Sequence, residues 1–202
     1  MHRLLIAIAL LTVPIATRAV AEPDYELVRK IGDVEVRRYA PYAVAEVAVA
    51  GPADQAGRQG FSILADYIFG KNKGARKLAM TAPVTQAPVP QRLDMTAPVT
   101  QSATGAGFMV QFVLPKGITP QTAPEPIDAR VQLREVPATT VAALRYSGFW
   151  SDSNYTEHLA QLQATLTQAA LAWTGQPVYA RYNPPFTPWF MRRNEIWLTL
   201  AP

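Results

Sequence analysis

The chain has 202 residues, 49% of them hydrophobic and 17% charged, with 19 basic against 15 acidic side chains and a formal net charge of +4. It contains no cysteine and two histidines, which excludes disulfides, thiolate nucleophiles, cysteine-bound zinc, iron–sulfur clusters, thioether-linked haem and a multi-histidine metal site within one chain. No run of lysine or arginine interleaved with aromatics marks a nucleic-acid surface; the one basic cluster, Lys71, Lys73, Arg76 and Lys77, reads as a solvated loop.

The N-terminus has three parts. Met1-His2-Arg3 is short and basic, Leu4 to Ala16 is almost wholly apolar, and Ala19-Val20-Ala21 has the small-x-small form of a cleavage site. This is the pattern of a secretory signal peptide, and its apolar stretch is too short to span a bilayer. The expectation is a signal peptide over 1–21, cleavage after Ala21, and a monomeric protein of the periplasm or the extracellular space, with no transmembrane segment after cleavage. His2 leaves with the leader, so His158 is the histidine that remains.

Residues 22–202 read as a single domain carrying an internal repeat. VEVRRYAPYAVAEVAVAG at 34–51 aligns without a gap to VQLREVPATTVAALRYSG at 131–148. Val34/Val131, Arg37/Arg134, Val44/Val141, Ala45/Ala142 and Gly51/Gly148 are identical. Each copy shows two alternating runs around a proline, Pro41 or Pro137, and reads as a strand pair closed by a glycine.

A helix follows in each copy. Phe61, Leu64, Ala65, Ile68 and Phe69 form one apolar stripe at i, i+3, i+4, i+7 and i+8, ended by Gly70. In the second copy Tyr155, Leu159, Leu162, Leu166, Ala169 and Trp173 step by four and three, with Asp152 or Ser153 as the cap and Gly175 as the stop.

Strands come next. MTAPVTQ occurs at 80–86 and again at 95–101; Leu78, Met80, Ala82 and Val84 alternate onto one face, as do Leu93, Met95, Ala97 and Val99. Pro83 and Pro98 on the other face each require an edge, a bulge or an end to pairing. Phe108–Leu114 is a further strand, and Val178–Tyr182 and Glu195–Leu200 answer it in the second copy, joined by NPPFTPWF. The half-repeats thus span about 25–114 and 129–200, with a proline-rich connector over 115–128. Each half alone exposes a large apolar face, so the two are expected to pack about a pseudo-twofold axis. The fold class is α+β: an antiparallel, barrel-like sheet flanked by two helices.

The paired MTAPV segments and the C-terminal YNPPFTPWFMRRNEIWL resemble the SOUL/haem-binding-protein family, from about Tyr25 to Leu200. That resemblance implies a duplicated α+β barrel and non-covalent tetrapyrrole binding, haem or another porphyrin being the ligand. The overall fold is also similar to the effector-binding domains of multidrug-responsive regulators, which bind apolar small molecules. In the family the porphyrin cleft lies against the first helix, with bases near the propionates. Carried over residue by residue, Arg58 falls on the basic position, and Phe61, Leu64 and Ala65 fall on apolar ones, with Ile68 completing the stripe. Asp66 and Thr187 stand where the family can carry two further bases. A carrier or buffer of haem is one reading; an exported binder of other apolar molecules or lipids is another, and an unrecognised hydrolase or haem-modifying enzyme a third.

His158 is an outside candidate for an axial ligand, since imidazole is the common choice; a surface or boundary histidine explains it better. Met80 and Met95 are accounted for by strand packing. Arg192-Arg193-Asn194-Glu195 reads as structural, an Arg–Glu pairing that locks the last strand. The sequence has no nucleophile elbow, dinucleotide fingerprint or P-loop. The expectation is a binding protein rather than an enzyme, with no catalytic residues and no dedicated metal site.

Overall fold

The computed structural model describes residues 22–88, 107–183 and 186–202. Residues 1–21, the second MTAPVTQ copy and Pro184–Pro185 lie outside the described residues. Within them run β1 (Tyr25–Ile31), β2 (Val34–Tyr39), β3 (Tyr42–Val49), α1 (Ala53–Ile68), β4 (Val84–Pro88), β5 (Phe108–Val113), β6 (Gln132–Val136), β7 (Thr139–Tyr146), α2 (Asp152–Gln168), β8 (Trp173–Arg181) and β9 (Asn194–Leu200).

The strands form one antiparallel sheet in the order β1-β2-β7-β9-β8-β4-β5-β3-β6. The fold is α+β as expected, but the end strands β1 and β6 do not pair with each other, so the sheet is open rather than a closed barrel. Its β1 edge carries Glu26, Arg29 and Lys30, side chains that discourage pairing with another chain. Exchanging β2–β5 with β6–β9 and reading from the other end leaves the order of those eight strands unchanged.

The two runs of each copy do not pair as a hairpin. β2 lies against β7, from Val34↔Leu144 to Tyr39↔Thr139, and β3 lies against β6, from Tyr42↔Val136 to Glu46↔Gln132. Each half therefore lends a strand to the other. The physical reason is in the links: a two-residue hairpin needs positive φ in its loop. Proline is fixed near −65°, and none of Ala40, Pro41, Pro137 and Ala138 is among the residues with positive φ.

The end of α2 also differs from the expected one. The helix stops at Gln168, where Ala170 turns to φ 52° and Leu171 N–H donates to the Leu166 carbonyl at 2.9 Å. This is a Schellman-type end. Trp173 and Gly175 then belong to β8, with Gly175 at φ 73° inside an irregularity of the β8–β9 register between Thr174 and Val178. Ser151, rather than Asp152 or Ser153, is the cap: its side chain accepts from Asn154 N–H at 3.3 Å.

Both helices cover the same face of the sheet. Leu64, Tyr67 and Ile68 of α1 pack on Val47, Val110 and Phe112, whereas Leu162 and Leu166 of α2 pack on Leu144, Ile196 and Leu198. The opposite face carries a smaller cluster around Tyr39, Val141 and Trp197. Gly60 explains how closely α1 sits on β5. A Cβ there would lie 2.6 Å from both the Cβ and the Cγ2 of Val110. Alanine is the better helix former by about 1 kcal/mol, yet Gly60→Ala is expected to destabilise the protein by about 1–3 kcal/mol through overpacking, read as a lowered midpoint in urea.

Candidate functional site

Register decides what lies between the helices. Residues opposite one another in antiparallel strands share a face. One row runs Ile196, Tyr179, Gln86, Val110 across β9, β8, β4 and β5; the next runs Asn194, Arg181, Val84, Phe112. The ends of these rows sit under α2 and α1. Their middle, Tyr179 and Arg181 of β8 with Val84 and Gln86 of β4, lies between the two helices: Gln86 is buried beneath the head of α1, and Tyr179 and Arg181 line a cavity beside α2.

On the α1 side the contact begins at Gly57. A Cβ there would lie 2.8 Å from Gln86 Oε1 and 3.1 Å from Arg181 Nη1, so the glycine lets the head of the helix rest on these residues. One turn on, Phe61 is 36% exposed and stands edge-to-face on Phe112 at 5.2 Å between centroids. Arg58 is exposed beside it. Ala65 is partly buried, while Leu64 and Ile68 are 0% and 2% exposed within the α1 core. The stripe thus divides: Arg58 and Phe61 present themselves to solvent, and Leu64 and Ile68 hold the helix to the sheet. Asp66 is exposed and ion-paired with Lys71 at 2.8 Å. The Thr187 carbonyl accepts from Arg192 Nε at 2.8 Å.

On the α2 side, Tyr146, Trp150, Ser151, Asp152, Tyr155, Tyr179 and Arg181 surround a small cavity of about 50 Å³. Tyr155 meets Tyr179 edge-on at 3.7 Å between ring centroids. Burial raises the phenols of Tyr155 and Tyr179 above the ordinary tyrosine value, and burial pushes Tyr146 up to about 12. These hydroxyls are therefore neutral donors near neutral pH. Arg181 is drawn below the usual arginine value by its burial and by the neighbouring Arg192, against the opposing influence of Tyr146 and Tyr179.

His158 lies behind this cavity. Its Nδ1 is 2.6 Å from the Asn154 carbonyl, and its ring stacks on Tyr146 at 4.3 Å. Met80 is 37% exposed, and Met95 lies outside the described residues. Among the described residues no group of three or more His, Asp or Glu side chains is arranged to hold a metal ion, and no helix is long and apolar enough to cross a membrane.

The 192–195 segment is structural. Glu195 is fully buried and accepts from Arg37 Nη1 at 2.7 Å, Arg193 Nε at 3.0 Å, Tyr182 Oη at 2.9 Å and Trp197 Nε1 at 2.8 Å. Asn194 Oδ1 accepts from Trp150 Nε1 at 2.8 Å, which fixes the indole at the head of α2. Sequence reasoning missed Trp150, Tyr179 and Arg181 as cavity residues. The available signal was the two-residue alternation of β8, which puts Tyr179 and Arg181 on one face.

An open antiparallel sheet with two helices on one face and an aromatic-lined cavity beside the second has the form of a small ligand-binding domain. The chain matches the SOUL heme-binding protein family over residues 20–199, and it belongs to that family. It is 29% identical to heme-binding protein 1 of Mus musculus over 151 residues, 74% of each chain. It is 28% identical to heme-binding protein 2 of Homo sapiens over 169 residues, 83% of this chain and 78% of that one. Among solved structures, the C-terminal domain of EcmrR shares the fold at a TM-score of 0.58 and 12% identity, over 88% of this chain and 98% of that one. A hydrolase from Listeria innocua does so at 0.57 and 13%, over 86% and 94%.

Proposed function

We propose that this chain binds haem or a related tetrapyrrole non-covalently in the groove along α1, as an exported carrier or buffer rather than an enzyme. Membership of the SOUL family carries the reading, and the leader-like residues 1–21 support a periplasmic or secreted location. The groove residues suit such a ligand. Phe61, 36% exposed, offers aromatic surface to a flat ring, and Arg58 and Arg181 offer cations to its acid groups. His158 is not among the residues lining the cavity and its ring stacks on Tyr146, so the ligand is proposed to bind without it as an iron ligand. Binding then rests on the ring face and the acids. Burying a few hundred square ångströms at ~25 cal/mol per Å² yields several kcal/mol before association costs, whereas an exposed ion pair adds about 1 kcal/mol or less.

A haemin titration of the purified protein, followed in the Soret band, tests this. One-to-one saturation at roughly micromolar haemin is expected. Phe61→Asp should weaken it at least about tenfold by placing a charge against the ring, and His158→Ala should leave the bound spectrum unchanged. Absence of saturation, or indifference to Phe61→Asp, overturns the reading.

A further inference from the structure

Among the described residues, Arg181 is a partly buried cation that no carboxylate neutralises. Arg37 and Arg193 share the carboxylate of Glu195, and Arg134 is paired with Glu46 at 3.0 Å. Arg181 differs. Its guanidinium carbon lies over the Trp150 ring, 4.7 Å from the centroid, and among the described residues it makes no ion pair and no side-chain hydrogen bond. Arg192 lies over the same indole at 4.4 Å. Two guanidinium groups thus share one aromatic ring whose Nε1 is committed to Asn194.

The surroundings sharpen the contrast. Tyr146, Tyr155 and Tyr179 line the cavity in front of Arg181. The Tyr155 hydroxyl oxygen is buried and, although it adjoins Tyr179, has no partner in hydrogen-bonding geometry. The one carboxylate lining the cavity is that of Asp152, and it is not within ion-pairing distance of Arg181. A half-buried guanidinium is a rigid fork of donors matched to a carboxylate, and leaving such a group without an acceptor is costly. The cavity, at about 50 Å³, has space for a carboxylate and not for a ring. A ligand whose acid entered there would have to leave its body outside the cavity.

We propose that Arg181, supported by Trp150 and Arg192, is the acid-recognition element of this cavity, and that the ligand is an amphiphile carrying a carboxylate. For the body of the ligand this rests on the tetrapyrrole reading; for the acid it does not.

The test compares protoporphyrin IX with its dimethyl ester, which has the same ring and no free acid, on the purified protein and its Arg181→Gln and Arg58→Gln variants. The wild type is expected to bind the acid at least about tenfold more tightly than the ester. Arg181→Gln should abolish that preference by weakening the acid alone, with an unchanged thermal midpoint, and Arg181→Lys should restore part of it. Equal binding of acid and ester by the wild type, equal weakening of both by Arg181→Gln, or loss of the preference through Arg58→Gln alone overturns the assignment. If neither porphyrin binds the wild type, the tetrapyrrole reading has failed and dodecanoate against dodecanol decides. A preference for the acid that Arg181→Gln removes upholds Arg181; no such preference overturns it.

Discussion

Replacing Glu195 with alanine is expected to cost about 3–5 kcal/mol of stability, because it strands buried charge. Arg37 is 3% exposed and would lose both of its bonds to the carboxylate, at 2.7 and 3.1 Å; its remaining ion pair would be with the partly exposed Glu35, beside a long bond to Tyr39 Oη at 3.4 Å and the Tyr25 ring. Arg193 would keep Glu22, and Tyr182 and Trp197 would each lose an acceptor. Chemical denaturation followed by tryptophan fluorescence reads the loss directly, since Trp197 reports on the site. The same group sets an acid limit. Burial pushes the Glu195 carboxyl up, but the hydrogen bonds and charge of Arg37, the Trp197 N–H and the charge of Arg193 outweigh it and hold it below the usual glutamate value. A carboxylate held low in the folded state stabilises fully above its unfolded value, about 4.3, and that contribution is lost as pH falls through the folded value. Stability should therefore decline below about pH 4 in the wild type, and Glu195→Gln should flatten that decline. Asp128, held down to about 2 by its hydrogen bonds from Arg130, contributes in the same window; an Asp128→Asn background separates the two.

Much of this network was legible in the sequence. The Arg–Glu reading of 192–195 holds through Arg193 and Glu195, and the repeated Arg37 and Arg134 both end on buried glutamates. Alternation identified β2, β3 and β7, whose inward residues are buried, and the 61–68 stripe identified α1 and its Gly70 stop, whereas the strand expected from Leu78 begins only at Val84. The pairing of β2 with β7 was not legible. Alternation fixes which side chains share a face, not which strand lies alongside, and the decisive fact was the absence of positive φ in two proline links. Arg181 was hidden for a related reason. Its significance depends on Trp150 and Arg192, 31 and 11 positions away in sequence, meeting it through the β8–β9 register and the turn into α2. The stripe on α1 likewise gave direction without depth: period alone does not say whether a residue stands at the centre of the buried face or at its rim.

That distinction between centre and rim separates the roles of neighbouring α1 residues. Leu64 is fully buried among Val47, Val110 and Phe112, so Leu64→Ala removes buried methyls and leaves a cavity between α1 and β5. A cost of about 2–5 kcal/mol is expected. Phe61, at the rim, loses chiefly its edge-to-face contact with Phe112 on truncation to alanine, and about 1 kcal/mol is expected. Haemin binding should show the reverse order. Phe61→Ala removes surface that faces the groove and should weaken binding severalfold, whereas Leu64→Ala, assayed well below its unfolding transition, should bind nearly as the wild type does. The two measurements, a urea midpoint and a Soret titration on each variant, form a crossed pair. If Leu64→Ala weakened binding more than Phe61→Ala, the ligand would have to enter beneath the helix. α1 would then need to lift from β5, where Gly60 brings the two backbones together and no space exists in the closed fold. The expected order instead keeps α1 seated, with Leu64 and Ile68 anchoring it so that Phe61 and Arg58 are held at a fixed height above the floor of β4 and β8.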